Sequence, residues 1–165
     1  IVFGFLHENG TVDAERTSEF AAMAKDYGKQ SVFSRAIDVT PDWRAALDTL
    51  IQSGVTRVLT SGQRPPAMEG AGVIAAMVRY AAGRIEILPG SGIRANNLSL
   101  VLERTGCTQL HMSAHMIAHD MSAANGNGIC FTGSEIPKEG CYKLIDQNKV
   151  EEIARMLKGD TNVQL

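Results

Sequence analysis

Four groups of residues carry side chains or backbone suited to chemistry. Arg35 and Asp38 stand three residues apart just past the apolar run Ser31-Val32-Phe33. An arginine holds a carboxylate or phosphate with its planar fork, and an aspartate can hold that arginine or accept a proton. The same pair also reads as an ion pair that pins a loop. Ser61-Gly62 follows Arg57-Val58-Leu59, and Gly90-Ser91-Gly92 follows Ile85-Glu86-Ile87-Leu88-Pro89. Glycines that flank serines at strand ends let a ligand approach the backbone, and the first turn of a following helix favours an anion. Ser113 follows Thr108-Gln109-Leu110-His111-Met112 in the same manner. His111, His115 and His119 recur every fourth residue, with Met112, Met116 and Met121 among them. Imidazole and thioether are donors that a soft metal ion accepts. A helical 115–119 segment would put His115 and His119 on one face, whereas His111 sits on a strand.

These groups need a scaffold, and the composition bounds it. The 165 residues suit one domain, 1–165, long enough to bury a core. Hydrophobic residues make up 44% and charged residues 21%, the balance of an α/β protein. Net charge is −2 and there is no basic run, which speaks against nucleic acid. The longest apolar stretch, Val73 to Met77, is too short to cross a bilayer. Cys107, Cys130 and Cys141 are odd in number and lack CxxC spacing, so they read as free thiols in a reducing compartment.

The elements alternate. Ile1-Val2-Phe3-Gly4-Phe5-Leu6 is a continuous apolar run, the pattern of a strand covered on both faces. Asp13 caps a helix whose spacing singles out Phe20, Met23, Ala24 and Tyr27, with Gly28 as its stop. A second strand, Ser31–Phe33, precedes a helix opened by Thr40-Pro41-Asp42, with Trp43, Ala46, Leu47, Leu50 and Ile51 as its buried stripe. A third strand at Arg57–Leu59 precedes a helix that buries Val73, Ile74, Met77, Val78 and Ala81. A fourth, Ile85–Leu88, leads into a helix opened by Arg94-Ala95-Asn96-Asn97-Leu98. A fifth is expected at Thr108–Met112, then a glycine-rich stretch around 125–128, and a last helix with Val150, Ile153, Ala154 and Leu157.

Strands and helices alternating every 25–30 residues, very roughly, give right-handed βαβ units and a parallel sheet. Two architectures fit: a doubly wound sheet of five strands, or part of a TIM (β/α)8 barrel. Length favours the first, because a whole barrel takes about 250 residues. The polar or glycine-rich ends of several strands favour the second, because a barrel recruits many strand ends to one site.

Five stretches resemble the CutC copper homeostasis proteins. They are Val2–Leu6 with Asn9-Gly10-Thr11-Val12-Asp13, Val32–Asp38, Arg57–Gly62, Gly90–Leu98 and His111-Met112-Ser113-Ala114. The resemblance implies a cytoplasmic (β/α)8 barrel linked to copper, of which this chain supplies about five strands, the fourth to the eighth. It places Gly90 and Ser113 in the loops after strands seven and eight, the habitual phosphate site of barrels. Ser61, Gly62, Gly90, Ser91, Gly92 and Ser113 are then expected to converge on a small anion. Copper enters through the resemblance alone. The cysteines proposed as copper ligands in the family lie in strands that have no counterpart here, and Cys107, Cys130 and Cys141 do not match them.

The sequence also departs from the family. A His-Arg-Ala-Phe-Asp pattern stands here as Ser34-Arg35-Ala36-Ile37-Asp38, which removes a proton-transfer histidine, and His115 replaces an arginine. A competing reading is a barrel enzyme acting on a phosphorylated or carboxylated metabolite, with Arg35, Asp38 and His111 as its working residues. Five strands cannot close a ring of eight. Roughly ten inward side chains, Val2, Val32, Val58 and Ile87 or their neighbours among them, represent on the order of 20 kcal/mol if left wet. The expectation is a homo-oligomer, or association with the missing N-terminal strands.

Overall fold

The computed structural model describes residues 1–120, 122 and 140–159. They form two compact units, one over Ile1–Met112 and a second beginning at Ser113. The glycine-rich 125–128 stretch, Met121 and Cys130 lie outside the described residues.

In the first unit four parallel strands lie side by side in chain order: β1 (Val2–Phe3), β2 (Val32–Phe33), β3 (Arg57–Thr60) and β4 (Glu86–Pro89). Between them run α1 (Ala14–Asp26), a 3-10 helix at Arg35–Val39 followed by α2 (Trp43–Gln52), and α3 (Ala71–Ala81); α4 (Leu98–Thr105) follows β4. The order decides between the two architectures. A doubly wound sheet reverses its strand order at a switch point, whereas here each strand adds to the same edge. Right-handed crossovers that never reverse keep every helix on one face, which is the arc of a barrel.

The register confirms a covered and an open face. Phe3, Phe33, Val58 and Ile87 are aligned across the sheet, and all four are buried. Phe20 of α1 packs on Phe3 and Phe5, with ring centroids 5.7 and 4.8 Å away. The neighbouring row is Val2, Val32, Arg57 and Glu86. Val2 is 64% exposed and Arg57 pairs with Glu86, so this row lines the open, inner face. Val58 and Ile87 therefore belong to the helix-covered core, not to the inner row with Val2 and Val32. Strand side chains alternate, and a set read one residue out of step mixes the two faces.

Local sequence explains most element ends. Asp13 caps α1 by accepting from the Arg16 amide, and Asp42 caps α2 by accepting from Arg44. Trp43, Ala46, Leu47 and Leu50 form the buried stripe of α2 as expected. Four expectations need correction. Helix α1 buries Thr17, Ala21 and Ala24, while Met23 and Tyr27 point outward, because small residues let the helix lie close to the sheet. The helix after β4 starts at Leu98 rather than Arg94. Asn97 Oδ1 accepts from the Arg94 amide, and the 94–97 segment closes into a turn first. The fifth parallel strand shrinks to one bridge, His111 to Gly90, where the His111 amide donates to Pro89. Exposed His111 and half-buried Leu110 give that segment little apolar surface to hold a longer pairing. The first strand pairs only at Val2–Phe3, since Leu6 turns back to bridge Val12.

The second unit holds β5 (His115–His119) and β6 (Cys141–Ile145), an antiparallel pair, followed by α5 (Gln147–Gly159). Leu157 is buried there, whereas Val150 is exposed. Among the described residues no helix is long and apolar enough to cross a membrane.

A candidate site at the strand ends

Asp38 organises the ends of β2 and β3. The 3-10 helix that carries it starts at Ser34, whose hydroxyl accepts from the Ala36 amide. One turn on, the Asp38 carboxylate receives Arg35 Nε at 2.8 Å and Thr60 Oγ1 at 2.6 Å. The backbone amides of Ser61 and Gln63 also donate to it, at 3.0 and 3.2 Å. Burial alone would push this carboxyl up, but the bonds from Thr60, Arg35, Ser61 and Gln63 outweigh it and hold the group below the ordinary aspartate range. Such a carboxylate is a poor proton acceptor. Its chemistry here is to hold Arg35.

Ser61 completes the arrangement. Its Oγ accepts from Arg35 Nη2 at 2.6 Å and lies 2.8 Å from Asp38 Oδ2 and 2.5 Å from the Arg64 carbonyl, with one proton to give to either. Thr60 Oγ1 accepts from the Gly62 amide. Gly62 has φ +71°, and a Cβ on it would overlap the Gly70 backbone, so only glycine fits this corner. The amides of residues 61–63 are thus taken by groups of the protein itself, chiefly the Asp38 carboxylate.

The loop after β4 is laced to the loop after β3. Ser91 Oγ donates to the Pro65 carbonyl at 2.7 Å, and the Ala67 amide donates to the Ser91 carbonyl at 3.0 Å. The Gly90 amide is held by Thr60 O, and exposed His111 sits beside Gly90. Arg35, Asp38, Ser61, Gly62, Gly90, Ser91, Gly92 and His111 therefore all lie along the strand ends of the first unit. Ser113 begins the second unit.

A model of the CutC family matches residues 1–116. The chain belongs to the CutC family. A CutC family protein of Treponema denticola is 43% identical over 157 residues, covering 95% of this chain and 63% of the relative. The human copper homeostasis protein cutC homolog is 34% identical over 158 residues, covering 96% of this chain and 57% of the relative. A crystal structure of a CutC protein from Streptococcus agalactiae superposes with a TM-score of 0.61 at 35% identity, covering 67% of this chain and 53% of that one. This chain thus spans between half and two thirds of the length of these relatives.

The three histidines do not form one set of donors. His115–His119 is a strand rather than a helix, so His115 and His119 share a face about 13 Å apart, too far for a common ion. His111 belongs to the first unit and both others to the second. Among the described residues no three His, Cys, Asp or Glu side chains gather where a metal could be held. Cys107 and Cys141 are free thiols, and burial pushes the Cys107 thiol up against a weaker opposing bond from Thr105.

Sequence reasoning missed Thr60 and Gln63 as members of the site. The signal was there in the polar run Thr60-Ser61-Gly62-Gln63 directly after an apolar strand. Strand alternation puts Thr60 on the buried side with Val58, where its hydroxyl needs a partner.

Proposed function

We propose that the chain serves copper homeostasis in the cytoplasm, taking copper as cargo, and that its strand-end rim holds a small anion such as phosphate through Arg35. The first part leans on its 34% identity to a relative named for copper homeostasis. The anion reading rests on one observation: Arg35 is aimed but not used up. Asp38 and Ser61 take two of its five N–H groups, and 42% of its side chain stays exposed. An arginine so held presents its remaining donors without the usual loss of side-chain entropy. The amides of 61–63 are committed elsewhere, so the anion would depend on Arg35, on the backbone at Gly92 and on His111. The open edge beside β1 would also accept a further strand, and a second copy of the chain could supply it.

Calorimetric titration with inorganic phosphate tests the anion site. Millimolar or tighter binding is expected for the unchanged protein, with at least a tenfold loss in Arg35→Lys, because a point charge cannot reproduce the fork. Equal binding by the lysine variant would leave Arg35 a purely structural residue.

A further inference from the structure

Two unspent donors stand on neighbouring strand ends of the first unit. Arg35 gives Nε to Asp38 Oδ2 and Nη2 to Ser61 Oγ, and these two acceptors lie 2.8 Å apart along one edge of the guanidinium. The opposite edge, Nη1 with the second Nη2 hydrogen, is left as a free fork. Ser61 lies two residues beyond Leu59, so both face the inner side of the sheet. The register Leu59 to Leu88 and Thr60 to Pro89 then brings Gly90 beside Ser61, and the Gly90 amide fixes this rung by donating to the Thr60 carbonyl at 2.9 Å.

Gly90 has no side chain on that face, and His111 uses the space. A Cβ on Gly90 would lie 3.3 Å from His111 Cβ, 3.4 Å from His111 Cδ2 and 2.6 Å from Leu59 Cδ1. The imidazole therefore leans over the inner side of Gly90, with Leu59 reaching the same spot. His111 is exposed, and neither ring nitrogen has a hydrogen-bond partner among the described residues. The fork on Ser61 and the imidazole on Gly90 thus belong to strand ends about 4.8 Å apart. Half-buried Leu59 supplies an aliphatic surface next to both.

We propose that this mouth takes a small alkyl phosphate ester, its phosphoryl group held between Arg35 and His111 and its carbon chain laid on Leu59. The assignment rests on the anion reading above and names the ligand class. A planar carboxylate has two oxygens, and one guanidinium fork satisfies both. A phosphoryl group offers three terminal oxygens in a tetrahedron, so a second donor on the next strand end has an acceptor left to meet. Asp38 does not face the ligand, because it occupies the far edge of the guanidinium. The ester carbon leaves the tetrahedron on the side away from the rim, toward Leu59.

The test is calorimetric titration of the whole chain with inorganic phosphate, butyl phosphate and pentanoate. A methylene taken fully out of water gains roughly fourfold in affinity. A butyl chain covered by Leu59 on one side should therefore bind at least fivefold tighter than inorganic phosphate, and pentanoate weaker than butyl phosphate. His111→Ala, at an exposed position, should weaken butyl phosphate at least fivefold, and Leu59→Thr should bring the ratio of the two phosphate affinities toward one. The comparison of ligands on the unchanged protein decides the matter even if Leu59→Thr does not fold. If neither phosphate binds at millimolar concentration, the anion reading of Arg35 fails and this inference with it. If inorganic phosphate binds but butyl phosphate binds no tighter, or pentanoate binds as well, or His111→Ala binds butyl phosphate unchanged, only the ligand class is overturned.

Discussion

Asp38 and Ser61 meet through backbone and side chain at once: the Ser61 amide and hydroxyl lie 3.0 and 2.8 Å from the same carboxylate oxygen, Oδ2. This double contact ties the end of β2 to the end of β3, and Arg35 is held between the two residues. Removing the charge while keeping the shape, in Asp38→Asn, replaces one acceptor oxygen by a donor that faces other donors. With the Asp38 side chain only 6% exposed, a loss of about 2–3 kcal/mol in urea unfolding is expected. The half-exposed Arg35 contributes little of this. A variant within 0.5 kcal/mol of the parent would mean that the contacts carry no net stability.

The same residue sets an acid limb. The folded carboxyl titrates below its unfolded value of about 3.9, so its stabilisation is complete above that pH and is lost as pH falls through the lower folded value. Below about pH 5, stability of the parent should fall with acidification more steeply than that of Asp38→Asn. Parallel slopes in equilibrium unfolding would assign the acid sensitivity to other carboxylates.

Gly92 has φ +70°, and a Cβ there would sit 3.0 Å from Pro66 Cβ. Alanine at this position should cost roughly 1–2 kcal/mol from the left-handed backbone, and valine more, because branching adds to the crowding. Thermal unfolding decides between strain and tolerance. Phosphate affinity should then be compared only at temperatures where the variant is fully folded.

Local signals in the chain were enough for the helix caps at Asp13 and Asp42 and for the buried stripe of α2, since these depend on residues a few positions apart. They also carried the barrel-like order of strands, through the polar ends at Thr60-Ser61 and Gly90-Ser91. Longer-range pairing was not legible. Nothing near His119 in sequence signals that it faces Cys141, 22 residues on, because antiparallel register is set by the partner strand. For the same reason residues 115–119 pass for one turn of helix when read alone. The role of Asp38 was half visible: its spacing from Arg35 announced an ion pair, but its amide partners come from a different strand end.

The last prediction concerns assembly. In the described residues the outer edge of β1 has no strand beside it, and the inner face of the sheet leaves Val2 64% exposed. The inner row is less apolar than the sequence suggests, since Arg57 and Glu86 occupy it as an ion pair. Only Val2, Val32 and Leu59 offer aliphatic surface there, and the latter two are already partly covered. At about 1.5–3 kcal/mol for each fully buried aliphatic side chain, covering this row yields a few kcal/mol rather than tens. That is still a sizeable share of a typical net stability of about 5–15 kcal/mol. An unpaired parallel edge adds backbone groups that another strand can satisfy. Association is therefore expected to be real but moderate, with dissociation measurable in the micromolar range. Sedimentation equilibrium should return a mass above the 17.8 kDa of one chain, falling toward it on dilution. Val2→Glu, which puts a charge on the inner row without touching the core, should shift that equilibrium to monomer. A folded particle that stays at one chain mass at all concentrations would show that the open edge and inner face are tolerated in water.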